Sequence, residues 1–295
     1  MKHLTASDYY KKLFGCKSYK ISIDAGCTCP TRDGSISTGG CIFCSAAGSG
    51  DFVPSAGLSV TRQMDEAKKL VSAKSKTPLK YIAYFQNFTN TYGNAEELNR
   101  KYLEAVSGKD VVGIAIGTRP DCISDEILNY ISALCDRTFV QLELGFQTSN
   151  ENSAEYFHRH YTNDVYLNAV KRIKAADSRI HIVTHVIFGL PDETKQDMLD
   201  TVRYILAAGT DGIKITSLYV LKNTELEKDY LAGKFKALEM DEYFDLLKSA
   251  LEIIPENVVI HRLTGDGPKK LLIAPLWTAD KKRVLNSLKN LLTSF

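Results

Sequence analysis

The chain has 295 residues, 44% hydrophobic, 24% charged and 9% aromatic, a composition that belongs to a folded globular protein and excludes wholesale disorder. The net charge of +2 is unevenly spread: residues 1–90 carry 12 Lys and Arg against 6 Asp and Glu, residues 91–260 carry 18 against 27, and residues 261–295 carry 7 against 2. No run of 18 apolar residues spans a membrane and the first residues lack an apolar core of signal-peptide length, so a cytoplasmic protein with no membrane contact is expected.

Apolar periodicity then sets out the elements in chain order. Residues 20–25 read as a strand, followed by a cysteine-rich loop. Residues 61–75 have helical spacing, 80–86 are β-rich and 95–106 helical. The near-continuous apolar run at 111–117 is that of a parallel strand covered on both faces. A helix over 125–135, a strand over 138–144, a helix over 164–176, a strand over 180–188, a helix over 195–208 and a strand over 212–220 complete six βα units. Helices near 224–232 and 240–254, a final strand near 258–263 and a helix over 281–292 end the chain. Six units with no linker predict one α/β domain over 1–295 with a parallel sheet, either a doubly wound sheet or a complete or partial barrel. The first strand is not followed by Gly-x-Gly-x-x-Gly, which removes the dinucleotide fingerprint. The residues suited to chemistry all fall just after apolar runs, at the carboxyl ends of strands, and a ring of such groups at one face favours the barrel.

Seven cysteines in a reducing compartment do not make a disulfide framework, and four of them, Cys27, Cys29, Cys41 and Cys44, fall within 18 residues. Cys41 and Cys44 form a C-x-x-C pair, and Gly39 and Gly40 permit the reversal that brings Cys29 to the same centre. Zinc needs a fourth ligand, Cys27 or a distant histidine; a [4Fe–4S] cluster held by three thiolates leaves one iron open for a cofactor. The scattered Cys16, Cys122 and Cys135 read as small buried residues.

In Cys29-Pro-Thr-Arg-Asp-Gly, Gly39-Gly-Cys-Ile-Phe-Cys44, Gly117-Thr-Arg-Pro-Asp-Cys122, Leu144-Gly-Phe-Gln-Thr148 and Gly189-Leu-Pro-Asp-Glu-Thr194, the chain resembles the radical SAM superfamily. It is nearest the branch that holds the elongator catalytic subunit and oxygen-independent coproporphyrinogen oxidase, and within it the YhcC/YtqA-type family. The resemblance covers roughly residues 15–292. It implies a partial (β/α)6 TIM-type barrel over about 18–222, extended at its N-terminus and closed at the bottom or side by the C-terminal helices of an extension over about 223–295. It also implies a [4Fe–4S] cluster on Cys29, Cys41 and Cys44, with S-adenosylmethionine (SAM) on the open iron.

The resemblance implies further roles. Phe43 would lie near the SAM adenine, and Gln86, Thr89 and Asn90 would meet the methionyl ammonium. Gln147 would contact SAM, Arg159 its carboxylate, and His185 the ribose, at a place where relatives carry an acidic residue. Gly189 would shape the adenine pocket by close backbone approach. Arg119 and Asp121 would position an anion, and Cys122 would donate hydrogen to a substrate radical. The substrate implied is a tRNA wobble uridine whose carboxymethylaminomethyl side chain is remodelled to aminomethyl, with an electron donor such as flavodoxin or ferredoxin. If the basic ends meet, Lys11, Lys12, Lys17, Lys68, Lys69, Lys281, Lys282 and Arg283 would form one phosphate-binding surface. A small-molecule or tetrapyrrole substrate, or a non-catalytic metal-binding protein, are the alternatives.

Overall fold

A computed structural model describes residues 3–48, 53–54, 56–72, 79–265 and 267–295. The chain begins with α1 (Ala6–Phe14), β1 (Ser18–Ile23), α2 (Val60–Ser72), β2 (Lys80–Phe85), α3 (Ala95–Val106), β3 (Val111–Thr118), α4 (Asp125–Leu134) and β4 (Phe139–Gln147). It continues through α5 (Glu151–Tyr156), α6 (Asn163–Ala176), β5 (His181–Phe188), α7 (Lys195–Ala208), β6 (Gly212–Ser217), β7 (Val220–Leu221), α8 (Glu225–Leu231) and α9 (Met240–Ile253), and ends with β8 (Val259–Arg262), β9 (Leu272–Ala274) and α10 (Lys281–Thr293). The end of the helix expected over 61–75 falls outside the described residues.

Seven strands pair in parallel in the order β1-β2-β3-β4-β5-β6-β8 and curl into a half-barrel. This confirms the partial barrel, and the seventh strand is the difference from the sequence expectation: β8, from the C-terminal extension, pairs with β6. The strand expected over 212–220 also divides, since β7 leaves the barrel to pair antiparallel with β9. Alternation explains the curl. Ile21, Ile23, Ala83, Phe85, Ile114, Ile116, Leu142, Leu144, Ile182, Ile213 and Ile215 face outward into one core shared with the helices. The residues between them face the lumen. Asn94, Ser124 and Thr194 cap α3, α4 and α7, each satisfying a free N–H of the first turn, so these helices start close after the preceding strand and leave only short loops at the rim.

The opposite end of the barrel is plugged by α1, not by the C-terminal helices. Tyr9 stacks on His181 with ring centroids 4.9 Å apart, the Tyr10 hydroxyl donates to Gln141 Oε1 at 2.7 Å, and Phe14 meets Phe139 edge-on. Phe139 and His181 are the first residues of their strands. An aromatic helix therefore seals the N-terminal mouth and leaves the carboxyl ends as the way in.

Candidate active site: a cysteine loop above a charged lumen

The loop after β1 turns sharply at Gly39 and Gly40, with φ of +91° and +80°, which a residue with a Cβ adopts only at a cost. A Cβ on Gly40 would also stand 2.7 Å from Arg32 Nε. Arg32 uses this room to donate through Nη2 to the Ser45 carbonyl at 2.7 Å, and Cys44 N–H bonds back to the Cys41 carbonyl at 3.0 Å. The loop rests on a second apolar cluster: Ile42 packs with Phe157, Leu190, Val220, Leu226 and Ala274, with Phe43 alongside. Leu226 N–H reaches the Ile42 carbonyl at 2.9 Å. The segment carrying β7, α8 and β9 thus braces the cysteine loop.

Cys29, Cys41 and Cys44 are electrostatic neighbours, with Arg32 and Arg119 beside them. The Cys41 thiol hydrogen-bonds to Cys44 and holds its pKa down to about 7, with Arg32 and Arg119 adding positive charge against the effect of burial. Cys41 moves the other way, well up, so the pair shares a proton that a metal centre would displace. Cys27 lies apart. Its neighbours are Lys101, Asp24 and Glu97, and burial pushes its thiol up to about 11. Three neighbouring thiols flanked by two guanidiniums form a donor set that fits a [4Fe–4S] cluster, whose thiolates carry net negative charge.

The remaining expected residues separate into those at the rim and those spent on structure. Gln147 ends β4 with φ +69°, a strained value for a residue with a side chain, and its amide nitrogen can donate to the Gly145 and Phe146 carbonyls at 3.2 and 3.0 Å. Gln86 accepts from Ser22 Oγ at 2.8 Å, and Phe43 lies 5.4 Å from the Phe157 ring. Thr89 is buried, its N–H on the Thr28 carbonyl at 3.3 Å. Cys122 lines a rim cavity of about 700 Å³ together with Cys27, Tyr92 and Lys101. Burial and Asp121 raise its pKa, which keeps it a thiol.

One assignment is corrected. Arg159 is 1% exposed, and its guanidinium is fully engaged: Nε on the Tyr161 carbonyl, Nη1 on those of Phe146 and Thr148, Nη2 on Glu151 and Asn163. With every donor occupied it ties the β4–α5 loop together and has none for a SAM carboxylate. Asn90 is fully buried, its amide N–H groups bonded to the carbonyls of Phe85, Asn87 and Gly117, which fixes the β2–β3 exits, while its Oδ1, the acceptor an ammonium would need, has no partner among the described residues. Gly189 makes its close approach to Leu238, whose side chain would stand 2.8 Å from a Cβ there. Its smallness admits the C-terminal segment at this point.

The lumen holds what the sequence reading missed. Glu143 of β4 is completely buried and takes five donors: Lys20 and Gln141 on Oε1, and Tyr84, His185 and Lys214 on Oε2. These come from five strands. His185 bonds Glu143 at 2.9 Å, and burial lowers its pKa to about 4, keeping it neutral. The signal was present in the sequence as one ionisable residue interrupting each of several apolar strands: Lys20, Glu143, His185 and Lys214.

A family model described as the radical SAM superfamily matches residues 34–205, more than half of the chain and including Cys41 and Cys44. The chain belongs to the radical SAM superfamily. The radical SAM C-terminal domain matches residues 210–294. Among relatives, uncharacterized protein YtqA of Bacillus subtilis is 40% identical over 284 residues, 96% of this chain and 87% of that protein. Protein YhcC of Escherichia coli is 31% identical over 269 residues, 91% and 85% of the two chains. A tRNA-2-methylthio-N(6)-dimethylallyladenosine synthase of Clostridium perfringens is 28% identical over 214 residues, 70% of this chain but 46% of that protein. The fold is also that of Elp3 from the archaeon Methanocaldococcus infernus (TM-score 0.66, 18% identity, 87% and 58% covered). E. coli coproporphyrinogen III oxidase, described as a radical SAM enzyme, shares it too (0.53, 15%, 80% and 51%). Radical SAM proteins use a [4Fe–4S] cluster and SAM, and the donor set of this loop fits that cluster.

Proposed function

We propose that this radical SAM protein remodels the side chain of a tRNA wobble uridine from carboxymethylaminomethyl to aminomethyl. When bound, the cluster and SAM supply a 5′-deoxyadenosyl radical that takes hydrogen from a substrate C–H. In this reading Cys29, Cys41 and Cys44 hold the cluster, Arg32 and Arg119 offset its charge, and α1 shuts the far mouth so that substrate enters only at the rim. A flavodoxin or ferredoxin supplies the electron and takes one back from the substrate carbon radical. Water then splits the resulting imine into the aminomethyl product and glyoxylate, with Cys122 at the rim as a protonated thiol.

The observation that carries the RNA reading is where the lysines fall. Lys222, Lys228, Lys236, Lys269 and Lys270 are exposed on the chain that runs from β7 through β9, the segment that braces the cysteine loop. Phosphate contacts come from such residues, and single-stranded bases are taken from loops. The partial likeness to a tRNA-modifying synthase agrees with this. The basic termini do meet, His3 against Phe295 with ring centroids 5.4 Å apart. However, Lys11 and Lys12 sit on α1 at the closed end, and Lys68 is engaged by Asp110 at 2.8 Å, so the RNA surface is the rim. Nucleoside profiling of bulk tRNA from a deletion strain tests the reading. Carboxymethylaminomethyl uridine should accumulate, and an unchanged profile would refute it.

A further inference from the structure

Glu143 is the centre of a layer whose charges do not balance. Two ammonium groups, Lys20 and Lys214, share one carboxylate, His185 is neutral, and Arg262 of β8 adds further positive field. The two lysines answer differently. Burial alone would lower Lys20, but Glu143 and Tyr10 overrule it and its pKa rises. At Lys214 burial outweighs Glu143, with Lys20 and Arg262 repelling, and the pKa falls to about 7. A single anion cannot neutralise both cations, and an excess buried cation is costly unless something pairs with it.

The layer is also reachable. Lys20 lies three residues before the end of β1, roughly 10 Å below the rim at about 3.3 Å per residue. The lumen positions above it are Ser22, Gln86, Gly117, Gly145, Ile187 and Thr216, all partly open. Two of these are glycines, although Gln147 Nε2 lies 2.8 Å from where a Cβ on Gly145 would stand, so access to the layer rests on the partial exposure of these positions. The side chains at its floor keep exposures of 20% for Lys20, 10% for Lys214 and 32% for His185, against 0% for Glu143. Each ammonium has three N–H groups and gives one to Glu143. Beyond Glu143, Lys214 Nζ has a long contact of 3.4 Å to the Tyr84 hydroxyl and stands 4.9 Å from the centre of the Tyr84 ring.

We propose that Lys214, with Lys20 beside it, anchors a carboxylate of the substrate at the floor of the lumen, Glu143 serving to position the two ammonium groups. This rests on the function proposed above and deepens it, because the side chain to be remodelled ends in a carboxylate and its product in an amine. An incoming carboxylate completes two charge pairs across the layer. An amine arriving there meets two lysines and is repelled, so the same layer releases the product. The carboxylate held at the floor leaves the carbon chain behind it pointing toward the rim, on the side of the cysteine loop.

Binding an anion beside Lys214 must raise its pKa, and this gives a readout independent of turnover. In the full chain, reconstituted with cluster and SAM, pH-dependent competitive acetylation followed by mass spectrometry gives the Lys214 titration midpoint. Saturating 5-carboxymethylaminomethyluridine should raise it by one unit or more, and 5-aminomethyluridine should not. N-benzylglycine and benzylamine form a base-free pair with the same contrast. If N-benzylglycine raises the midpoint and the carboxylated nucleoside does not, the carboxylate site stands and the uridine reading falls. If neither carboxylate moves it, the anchor is overturned and the tRNA reading rests on the nucleoside profile alone. In equilibrium binding, wild type should prefer the carboxylated nucleoside by about ten- to a hundredfold, the usual range for a charge-assisted contact. Lys214→Gln should abolish the preference and Lys214→Arg should keep most of it. An undiminished preference in a folded Lys214→Gln would also overturn the proposal.

Discussion

Cys29, Cys41 and Cys44 owe their common neighbourhood to two glycines in left-handed conformations and to an arginine threaded past one of them, while Cys27, two residues from Cys29, turns toward Lys101 and the core. Alanine at Cys29, Cys41 or Cys44 should each abolish the roughly four irons that an anaerobically reconstituted cluster carries, and Cys27→Ala should retain them. Iron and sulfide assays with the visible charge-transfer band check this, and retention of the cluster by Cys29→Ala would reassign the first ligand. Arg159 belongs to another kind of residue, one whose charge is spent on its own loop. Arg159→Ala strands the carbonyls of Phe146, Thr148 and Tyr161 and should cost about 3–5 kcal/mol in urea unfolding. SAM affinity of the folded fraction should stay within about twofold, and a large loss with unchanged stability would restore the carboxylate contact.

At the level of elements, α1 makes the barrel sensitive to acid. Under it His181 and His261 face each other, Nε2 to Nε2 at 3.0 Å, and burial lowers the pKa of His181 to about 4 and that of His261 well below its usual value. A histidine neutral in the fold but near 6.5 when unfolded takes up its proton on unfolding. Its contribution to stability is therefore intact above pH 6.5 and is lost as pH falls from 6.5 toward 4, at about 1.4 kcal/mol per pH unit for each such group. Urea unfolding from pH 7 to 4.5 should show this slope, and His181→Gln should flatten it by about that amount. A pH-independent midpoint would mean that these rings titrate in the fold as they do in the unfolded chain. The β7–α8–β9 segment plays the complementary part at the open end, carrying the apolar cluster on which the cysteine loop rests.

Across the whole molecule, the closed and open ends make opposite predictions for a polyanion. Lys269→Glu with Lys270→Glu, at the rim, should weaken tRNA binding and lower the salt slope by up to about two phosphate contacts, each worth about 0.9 in log K against log salt. Lys11→Glu with Lys12→Glu, on α1, should change neither, and equal effects from both pairs would remove the rim as the RNA surface. The sequence by itself determined the βα alternation and the parallel barrel, and it set the spacing of the cysteines that would hold the cluster. Those signals are local: apolar runs of strand length, glycines that free a turn, and thiols a few residues apart. Only the tertiary structure decided that Arg159 serves the scaffold, that Leu238 lies beside Gly189, that α1 is the plug and that β8 extends the sheet. It also brought Lys20, Tyr84, Glu143, His185 and Lys214 into one layer. Several of these depend on groups far apart in the chain, such as Tyr9 and His181, 172 residues apart, competing for the same donors or the same volume. A side chain in a linear pattern does not reveal which of its possible partners the folded chain has already supplied.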